Sequence, residues 1–226
     1  MTTTANNHPQ AMRRYSNAAE WLHDLGDIPL ERILFDPWPG SATESDLLRK
    51  VEIEKQLCEL VDGTLVEKPM GWYESILAML LGRELLNFIL PRRLGIVSGP
   101  DGPLRFRLGL VRLPDISFIS AQQLKQSSGK RDAIASLVPD LVVEILSVGN
   151  RPAEMQRKLE EYFNAGVQSV WYINPATRTA EIYKSTEDVQ QVKLDEVLSA
   201  QEVLPGFEIR LSDLFKSADE AMEGMG

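Results

Sequence analysis

The feature that most restricts the fold of this chain is one carboxylate inside an otherwise apolar run. Residues 141–146 read Leu-Val-Val-Glu-Ile-Leu, so the predicted strand would be apolar on both faces without Glu144. An ionised carboxylate seldom lies buried unless it is paired or bound to a metal. The sequence therefore predicts a buried strand whose acid has a cation beside it.

A second acid lies 29 residues earlier, at Asp115, directly after Pro114. Proline fixes φ and lacks an N–H, so this acid is predicted where a strand bends or begins at a sheet edge. Adjacent strands could bring Asp115 and Glu144 together. Two carboxylates about 4 Å apart repel by roughly 4 kcal/mol at an effective dielectric of about 20, so the pair needs a cation or a shared proton. Mg²⁺ would meet that need and would also support phosphodiester hydrolysis.

A lysine could complete such a site by orienting a water molecule or by stabilising developing negative charge. The position two residues after Glu144 is Leu146, which can do neither, so the candidates fall on the following predicted helix. Helical spacing places Lys158 on the flank of the apolar stripe and points Arg157 to solvent. Lys158 is therefore the better candidate.

Each of these three residues also has a purely structural interpretation. Asp115 could cap a turn after Pro114. Glu144 could be an acid paired with Arg112 or another arginine. The stem of Lys158 could simply extend over the flank of its helix. The sequence alone leaves these alternatives open.

Hydrophobic periodicity and turn residues predict an α/β fold with a mixed sheet flanked by helices. Helices are expected at 18–25, 41–55, 73–89, 154–165 and about 211–215, and strands at 58–61, 64–67, 104–108, 110–120, 141–146, 169–173 and 180–183. Asp62-Gly63 is the expected hairpin turn, and Ser41 with Glu44 the expected capping box. The predicted organisation is a mobile arm (1–17), a helical extension (18–57) and the main domain (58–226).

Composition excludes several classes of protein. Cys58 is the only cysteine, and the histidines, His8 and His23, lie far from it, which excludes an intrachain disulfide and a Cys/His zinc site. Any metal should be an oxygen-ligated Mg²⁺ or Mn²⁺. No apolar run reaches the ~20 residues of a membrane span. The single cysteine and the lack of an apolar signal region near Met1 predict a cytoplasmic protein. The net charge of −9 argues against broad nucleic-acid affinity but allows a local basic groove.

An ordered series of short motifs covers most of residues 58–215. It comprises Glu59-Leu-Val-Asp-Gly63, Gly71-Trp-Tyr-Glu74-Ser75, Pro114-Asp115, Pro139-Asp140-Leu-Val-Val-Glu144-Ile-Leu-Ser147, Lys158 with Tyr162-Phe-Asn-Ala-Gly166-Val167, Val170-Trp171-Tyr-Ile-Asn-Pro175 and Val203-Leu-Pro-Gly-Phe207. This series resembles the Uma-two family of restriction-endonuclease-like proteins in the PD-(D/E)XK nuclease superfamily.

The resemblance implies a restriction-endonuclease-like core and Mg²⁺-dependent (or Mn²⁺-dependent) cleavage of DNA. Asp115 and Glu144 would be the metal ligands, and Lys158 would replace the lysine that has moved out of the usual position. Glu74, near the start of the first core helix, would be an auxiliary acid. The alternative for Glu74 is a favourable charge at the helix N-terminus.

The same resemblance implies that DNA is a partner of this chain. The best local basic set for phosphate contact is Arg105, Arg107, Arg112, Lys125, Lys130 and Arg131, although surface charges are usually just solvated. Related nucleases often pair subunits, so a homodimer is expected. The competing hypothesis is a catalytically inactive nuclease-like fold that serves as a nucleic-acid-binding or assembly module.

Overall fold

The computed structural model describes residues 15–69, 71–127 and 131–224 of the chain. Most of the predicted arm, as well as Lys130, lies outside these residues. Within the described ranges, none of the helices combines the length and the apolar character that a membrane span needs.

Helices are interspersed with groups of strands along the chain. The helices are α1 (Ala18–Asp24), α2 (Glu44–Leu48), α3 (Trp72–Arg92), α4 (Ala121–Gln126), α5 (Pro152–Ala165) and α6 (Leu211–Glu223), with a 3-10 turn at Leu30–Arg32 and a π-helical turn at Arg49–Ile53. The strands are β1 (Ile33–Leu34), β2 (Cys58–Val61), β3 (Thr64–Glu67), β4 (Gly95–Ser98), β5 (Leu104–Arg107), β6 (Leu110–Arg112), β7 (Ile116–Ser120), β8 (Leu141–Ile145), β9 (Ser169–Asn174), β10 (Thr179–Tyr183), β11 (Val189–Val192), β12 (Val197–Ser199) and β13 (Glu208–Arg210).

The strands form two main sheets and one small pair. The first sheet is antiparallel, with the order β1-β3-β2-β6-β5. The second has the order β11-β10-β9-β8-β7-β4, and its β8–β9 pair is parallel while its other pairs are antiparallel. Strands β12 and β13 pair separately. The predicted mixed α/β architecture is confirmed.

Strand β8 lies inside the second sheet and is buried along its whole length. Its residues Val143 and Ile145 pack with α3 and α6 on one face. Its residue Val142 packs on the opposite face with α5 and with strands of the first sheet. The layers are therefore α3 with α6, then the second sheet, then α5 with the first sheet. Glu144 has the same side-chain parity as Val142 and faces α5.

The predicted hairpin is confirmed in position and register. Strands β2 and β3 pair with Cys58 opposite Glu67 and with Val61 opposite Thr64. The turn residue Asp62 has φ 49° and Gly63 has φ 79°, so both lie in the left-handed region. Two-residue hairpin turns of this kind favour Asp-Gly because glycine reaches positive φ without steric cost.

The expectation of one strand over residues 110–120 is wrong. The chain leaves the first sheet after β6 and enters the second at β7, with Leu113, Pro114 and Asp115 as the crossover. Pro114 has no backbone N–H to donate to a neighbouring strand, which favours a break in strand pairing at this point. Asp115 therefore lies between the two sheets, at the beginning of β7.

The N-terminal extension differs from its prediction in detail. The capping box that opens α2 is formed by Thr43 and Asp46, not by Ser41 and Glu44, and the helix soon changes to π-helical geometry. The extension also contributes β1, which adds an edge strand beside β3. Hydrophobic periodicity did not indicate a strand of only two residues.

Candidate active site

The two acids that the sequence singled out lie on neighbouring strands. Strands β7 and β8 pair with Ile116 opposite Val143. One step further in this antiparallel register places Asp115 opposite Glu144. The backbone N–H of Ile145 donates to Oδ2 of Asp115 at 2.7 Å, which fixes the carboxylate against β8. The crossover at Pro114 thus brings the acids together.

Helix α5 provides the groups that contact Glu144. The Nζ atom of Lys158 lies 3.2 Å from Oε1 of Glu144, and the hydroxyl of Tyr162 donates to the same oxygen. Lys158 and Tyr162 are four residues apart and share one face of the helix. The apolar stripe that packs α5 on the sheet is therefore also what buries these polar groups beside Glu144.

A third acid, Glu59 of β2, lies on the other side of the lysine. Its Oε1 is 3.3 Å from Nζ of Lys158 and accepts the backbone N–H of Leu113 at 3.0 Å. Its Oε2 accepts from the guanidinium of Arg112 at 2.7 Å. One ammonium is therefore shared between Glu59 of the first sheet and Glu144 of the second.

Arg112 belongs to this buried network and not to the surface. Its side chain is only 3% exposed and pairs with Glu59 and, at 2.6 Å, with Glu161 of α5. Arg157 also pairs with Glu161 and is 14% exposed, so the expectation that it points to solvent is wrong. In this geometry Arg112 cannot reach a nucleic acid, and the cation beside Glu144 is Lys158.

A second lysine, Lys68, neutralises Asp115. It follows β3, and its Nζ lies 2.7 Å from Oδ1 of Asp115. The same ammonium donates to the carbonyl oxygen of Leu113 at 2.5 Å. With 4% of the side chain exposed, Lys68 forms a buried ion pair with the acid.

Burial and neighbouring charges move the pKa values of the buried groups in different directions. Burial raises the pKa of Glu144. Lys158 opposes this increase, and the charge of Asp115 adds to it, so the pKa of Glu144 remains raised. Burial also penalises the charged form of Glu59, but Lys158 and Arg112 outweigh it and lower the pKa of Glu59 to about 2. Burial alone would lower the pKa of Lys158, whereas Glu144 and Glu59 raise it.

A small cavity of about 30 Å³ opens between Asp115, Lys68 and Glu74 of α3. It has room for one or two water molecules. Glu74 and Ser147 also line a wider cleft of about 520 Å³, which runs past the ends of β8 and β9. Exposed Arg151 and the aromatic rings of Tyr172 and Tyr183 line that cleft as well. Asp115 can therefore be approached from solvent through the small cavity, whereas Glu144 is buried and lines neither space.

The model of the Uma2 family, described as "Putative restriction endonuclease", matches residues 45–212. The chain belongs to the Uma2 family. No curated protein matches this Uma2 chain in sequence. It is thus a member of a restriction-endonuclease-like nuclease family, which agrees with the resemblance of its motifs.

A solved structure shares the fold of this Uma2 chain. It is described as a "putative nuclease belonging to DUF820 from Anabaena variabilis ATCC 29413". The two superpose with a TM-score of 0.67 at 20% identity, over 78% of this chain and 98% of the other. At this identity the similarity shows the fold.

The Uma2 fold brings together three of the residues that the sequence selected: Asp115, Glu144 and Lys158. Glu74 lines the small cavity together with Asp115. Within the described ranges, no three His, Cys, Asp or Glu side chains form a group that could hold a metal ion.

The other predicted basic residues within the described ranges do not pair with these acids. Arg105 pairs with Glu44 at 2.5 Å and Arg107 with Asp62 at 2.7 Å, so both are already ion-paired on the first sheet. Lys125 and Arg131 are exposed.

Sequence reasoning did not place three residues of this cluster beside the acids: Glu59, Lys68 and Tyr162. Glu59 interrupts the apolar strand Cys58–Val61 just as Glu144 interrupts β8, so the same argument could have found it. Helical spacing puts Tyr162 on the apolar stripe of α5, and the contact of its hydroxyl with Glu144 depends on where β8 lies. No local sequence pattern points to Lys68, because its partner Asp115 lies on the crossover, 47 residues later in the sequence.

Proposed function

We propose that this chain is a Mg²⁺-dependent (or Mn²⁺-dependent) DNA endonuclease that hydrolyses phosphodiester bonds with metal-activated water. The observation that carries the proposal is the position of Asp115 opposite Glu144, with the ammonium of Lys158 at 3.2 Å from Glu144. Membership of a nuclease family supports the same reaction class.

The donor chemistry of the site fits such a metal. Mg²⁺ is commonly bound by one or two carboxylates, with water and substrate phosphate as the other ligands. Asp115 and Glu144 would hold it, and the small cavity beside Asp115 could accommodate waters. Among the described residues, Oε2 of Glu144 accepts no hydrogen bond, so this oxygen is available as a ligand. When bound, the metal would activate water and neutralise charge on the scissile phosphate.

The chain's own residues would orient these ligands and supply positive charge. The N–H of Ile145 fixes one oxygen of Asp115, and the hydroxyl of Tyr162 fixes one oxygen of Glu144. Lys158 would stay charged, because Glu144 and Glu59 raise its pKa. Its buried positive charge would stabilise negative charge that develops on the phosphate.

The DNA backbone would approach through the cleft that Glu74, Ser147 and Arg151 line. Arg151 is exposed and could contact a phosphate. Arg131 is an exposed candidate from the predicted basic set, and Lys130 stays a sequence prediction. Arg105 and Arg107 would contribute only if they exchanged their carboxylate partners for phosphate. Arg112 is excluded from the proposed contact surface by its burial.

The direct test is cleavage of supercoiled plasmid with Mg²⁺ or Mn²⁺. Asp115→Asn and Glu144→Gln should each reduce the rate at least ~100-fold, because each removes a metal ligand and its charge. Glu220→Gln is the matched control, since Glu220 is an exposed residue of α6. Cleavage that persists undiminished in both active-site variants would refute the proposed site.

A catalytically inactive nuclease-like fold, acting as a nucleic-acid-binding or assembly module, is the second candidate. It is favoured by one observation: both acids already have a lysine partner, Lys68 for Asp115 and Lys158 for Glu144. Such a site is neutralised without any metal. Calorimetric titration with Mg²⁺ separates the candidates, because the module predicts no carboxylate-dependent binding at millimolar metal.

A further inference from the structure

We propose that Lys68 is a built-in competitor of the divalent cation, holding Asp115 when no metal is bound and moving to Glu74 when metal enters. This inference rests on the proposed function, because it concerns the metal that Asp115 would bind there. It assigns functional roles to a lysine that the motif series does not include and to the auxiliary acid Glu74.

The first support is the set of atoms around the ammonium. Nζ of Lys68 contacts Oδ1 of Asp115 at 2.7 Å, the carbonyl oxygen of Leu113 at 2.5 Å and that of Pro100 at 3.3 Å. Carboxylate and backbone carbonyl oxygens are also the ligands that hard divalent cations take. The ammonium therefore occupies a position with the donor chemistry of a cation site.

The second support is that the protein already uses both oxygens of Asp115. Oδ1 pairs with Lys68, and Oδ2 accepts the backbone N–H of Ile145 at 2.7 Å. A backbone donor inside a sheet cannot leave, whereas a lysine side chain can rotate. A divalent ion bound to Asp115 would also repel a buried ammonium on the same carboxylate. Metal entry therefore displaces Lys68 from Oδ1.

The third support is a second carboxylate within the same cavity. Glu74 lines the small cavity together with Lys68 and Asp115, and it is only partly exposed. No ion pair of Glu74 is found within the part of the chain that the structure describes. Its carboxylate can therefore accept the displaced ammonium without losing an existing partner. A charged lysine thus remains beside the cleft after metal has bound.

The test is calorimetric titration of the full chain with Mn²⁺. Lys68→Gln removes the charge but can still donate to the carbonyl of Leu113, and it should bind Mn²⁺ at least tenfold more tightly than the wild type. Lys184→Gln is the matched control, because Lys184 pairs with Glu202 on the surface, and its affinity should not change. Affinity that is equal or weaker in Lys68→Gln would overturn the proposal.

A double-mutant cycle tests the part played by Glu74. Glu74→Gln should weaken Mn²⁺ binding in the wild type, because the displaced ammonium loses its acceptor. The same substitution should have no effect in the Lys68→Gln background. A loss of equal size in both backgrounds would make Glu74 a direct metal ligand and overturn its role as acceptor.

A measurement on the wild type covers the case in which Lys68→Gln fails to fold. With ¹³C at the lysine ε-carbons, the NMR resonance that is missing from Lys68→Arg belongs to Lys68. It should shift on addition of Mg²⁺ in the wild type and not in Asp115→Asn. A resonance that stays in place while Mg²⁺ binds would overturn the competition.

The outcomes also separate this inference from the proposed function. Mn²⁺ binding that depends on Asp115, without tighter binding in Lys68→Gln, overturns only the role of Lys68. The absence of Mn²⁺ binding in wild type and variant, together with no plasmid cleavage, overturns both.

Discussion

Two buried glutamates share the ammonium of Lys158, yet their environments differ. Glu59 also has Arg112 and the N–H of Leu113 as partners, whereas Glu144 adds the hydroxyl of Tyr162 and faces the like charge of Asp115. Burial raises the pKa of Glu144, whereas at Glu59 the charges of Lys158 and Arg112 outweigh burial and lower the pKa. Glu59 contributes to stability as an anion, while the charge of Glu144 is kept at a cost to stability.

The first prediction compares Glu59→Gln with Glu144→Gln at pH 7 in the presence of EDTA. Removing one partner of a buried ion pair typically costs about 3–5 kcal/mol, and Glu59→Gln should fall in that range because it leaves Arg112 short of a partner. Glu144→Gln removes a charge that burial disfavours, so its cost should be below ~1 kcal/mol. Urea unfolding measures the loss in the free energy of unfolding for both variants. Equal losses in the two variants would contradict the assigned pKa directions.

The second prediction concerns the pH dependence of stability. The folded pKa of Glu59 lies near 2, below its ordinary value of 4.5. The stabilisation that ionised Glu59 gives the folded state is therefore fully present above pH 4.5. It is lost as the pH falls from 4.5 towards 2. Glu59→Gln should flatten this acid limb of the free energy of unfolding, measured in EDTA. An acid limb identical to that of the wild type would refute the assignment.

At the scale of elements, the N-terminal extension is attached to α5 by close contacts. Arg32 forms two hydrogen bonds of 2.8 Å with Glu154 near the start of α5. Gly26, which follows α1, approaches the same point so closely that a Cβ atom there would lie 2.5 Å from the Cα atom of Glu154. These contacts hold the extension against the helix that carries Lys158.

The third prediction uses two glycines with nearly the same backbone conformation. Gly26 has φ 89° and Gly40 has φ 88°, but a Cβ atom at Gly40 would meet nothing within 4 Å. Gly40→Ala should therefore cost only the ~1–2 kcal/mol of a left-handed residue. Gly26→Ala should cost clearly more, because the new methyl group meets backbone. Thermal unfolding gives both values, and equal costs would show that the extension can move away from α5.

At the scale of the whole molecule, α3 presents apolar side chains to solvent. Trp72 is 73% exposed, Met79 70%, Leu86 36% and Leu90 57%. The first three are seven residues apart, the spacing by which one helix packs along another. Aligned exposed apolar residues are typical of interaction surfaces. We propose that this face of α3 contributes to the expected homodimer.

The fourth prediction is that the protein sediments as a dimer at micromolar concentration. Replacing Met79 and Leu86 together by lysine should shift it to a monomer, because charge would be buried at the interface. Ile53→Lys is the control, since Ile53 is 75% exposed elsewhere on the surface. A monomeric wild type, or a double variant that remains dimeric, would contradict the proposed interface.

The amino-acid sequence by itself determined the parts of this protein that local periodicity encodes. The apolar run of β8, the Asp-Gly hairpin and the stripe of α5 each depend on residues close together in the chain. Together with the Pro114-Asp115 dipeptide and the motif series, they select Asp115, Glu144 and Lys158 as candidates. The single cysteine and the two histidines also led to the expectation that any metal would have oxygen ligands.

Only the tertiary structure decided which cation lies beside which acid. Lys68 reaches Asp115 across 47 residues, and Lys158 meets Glu59 across 99. These pairs exist because the chain crosses between two sheets at Pro114 and because α5 packs against both sheets. Contacts of this kind depend on the order of strands in space, which hydrophobic periodicity does not specify. The charge balance around the candidate site therefore follows from topology, whereas its acids could be predicted from local pattern.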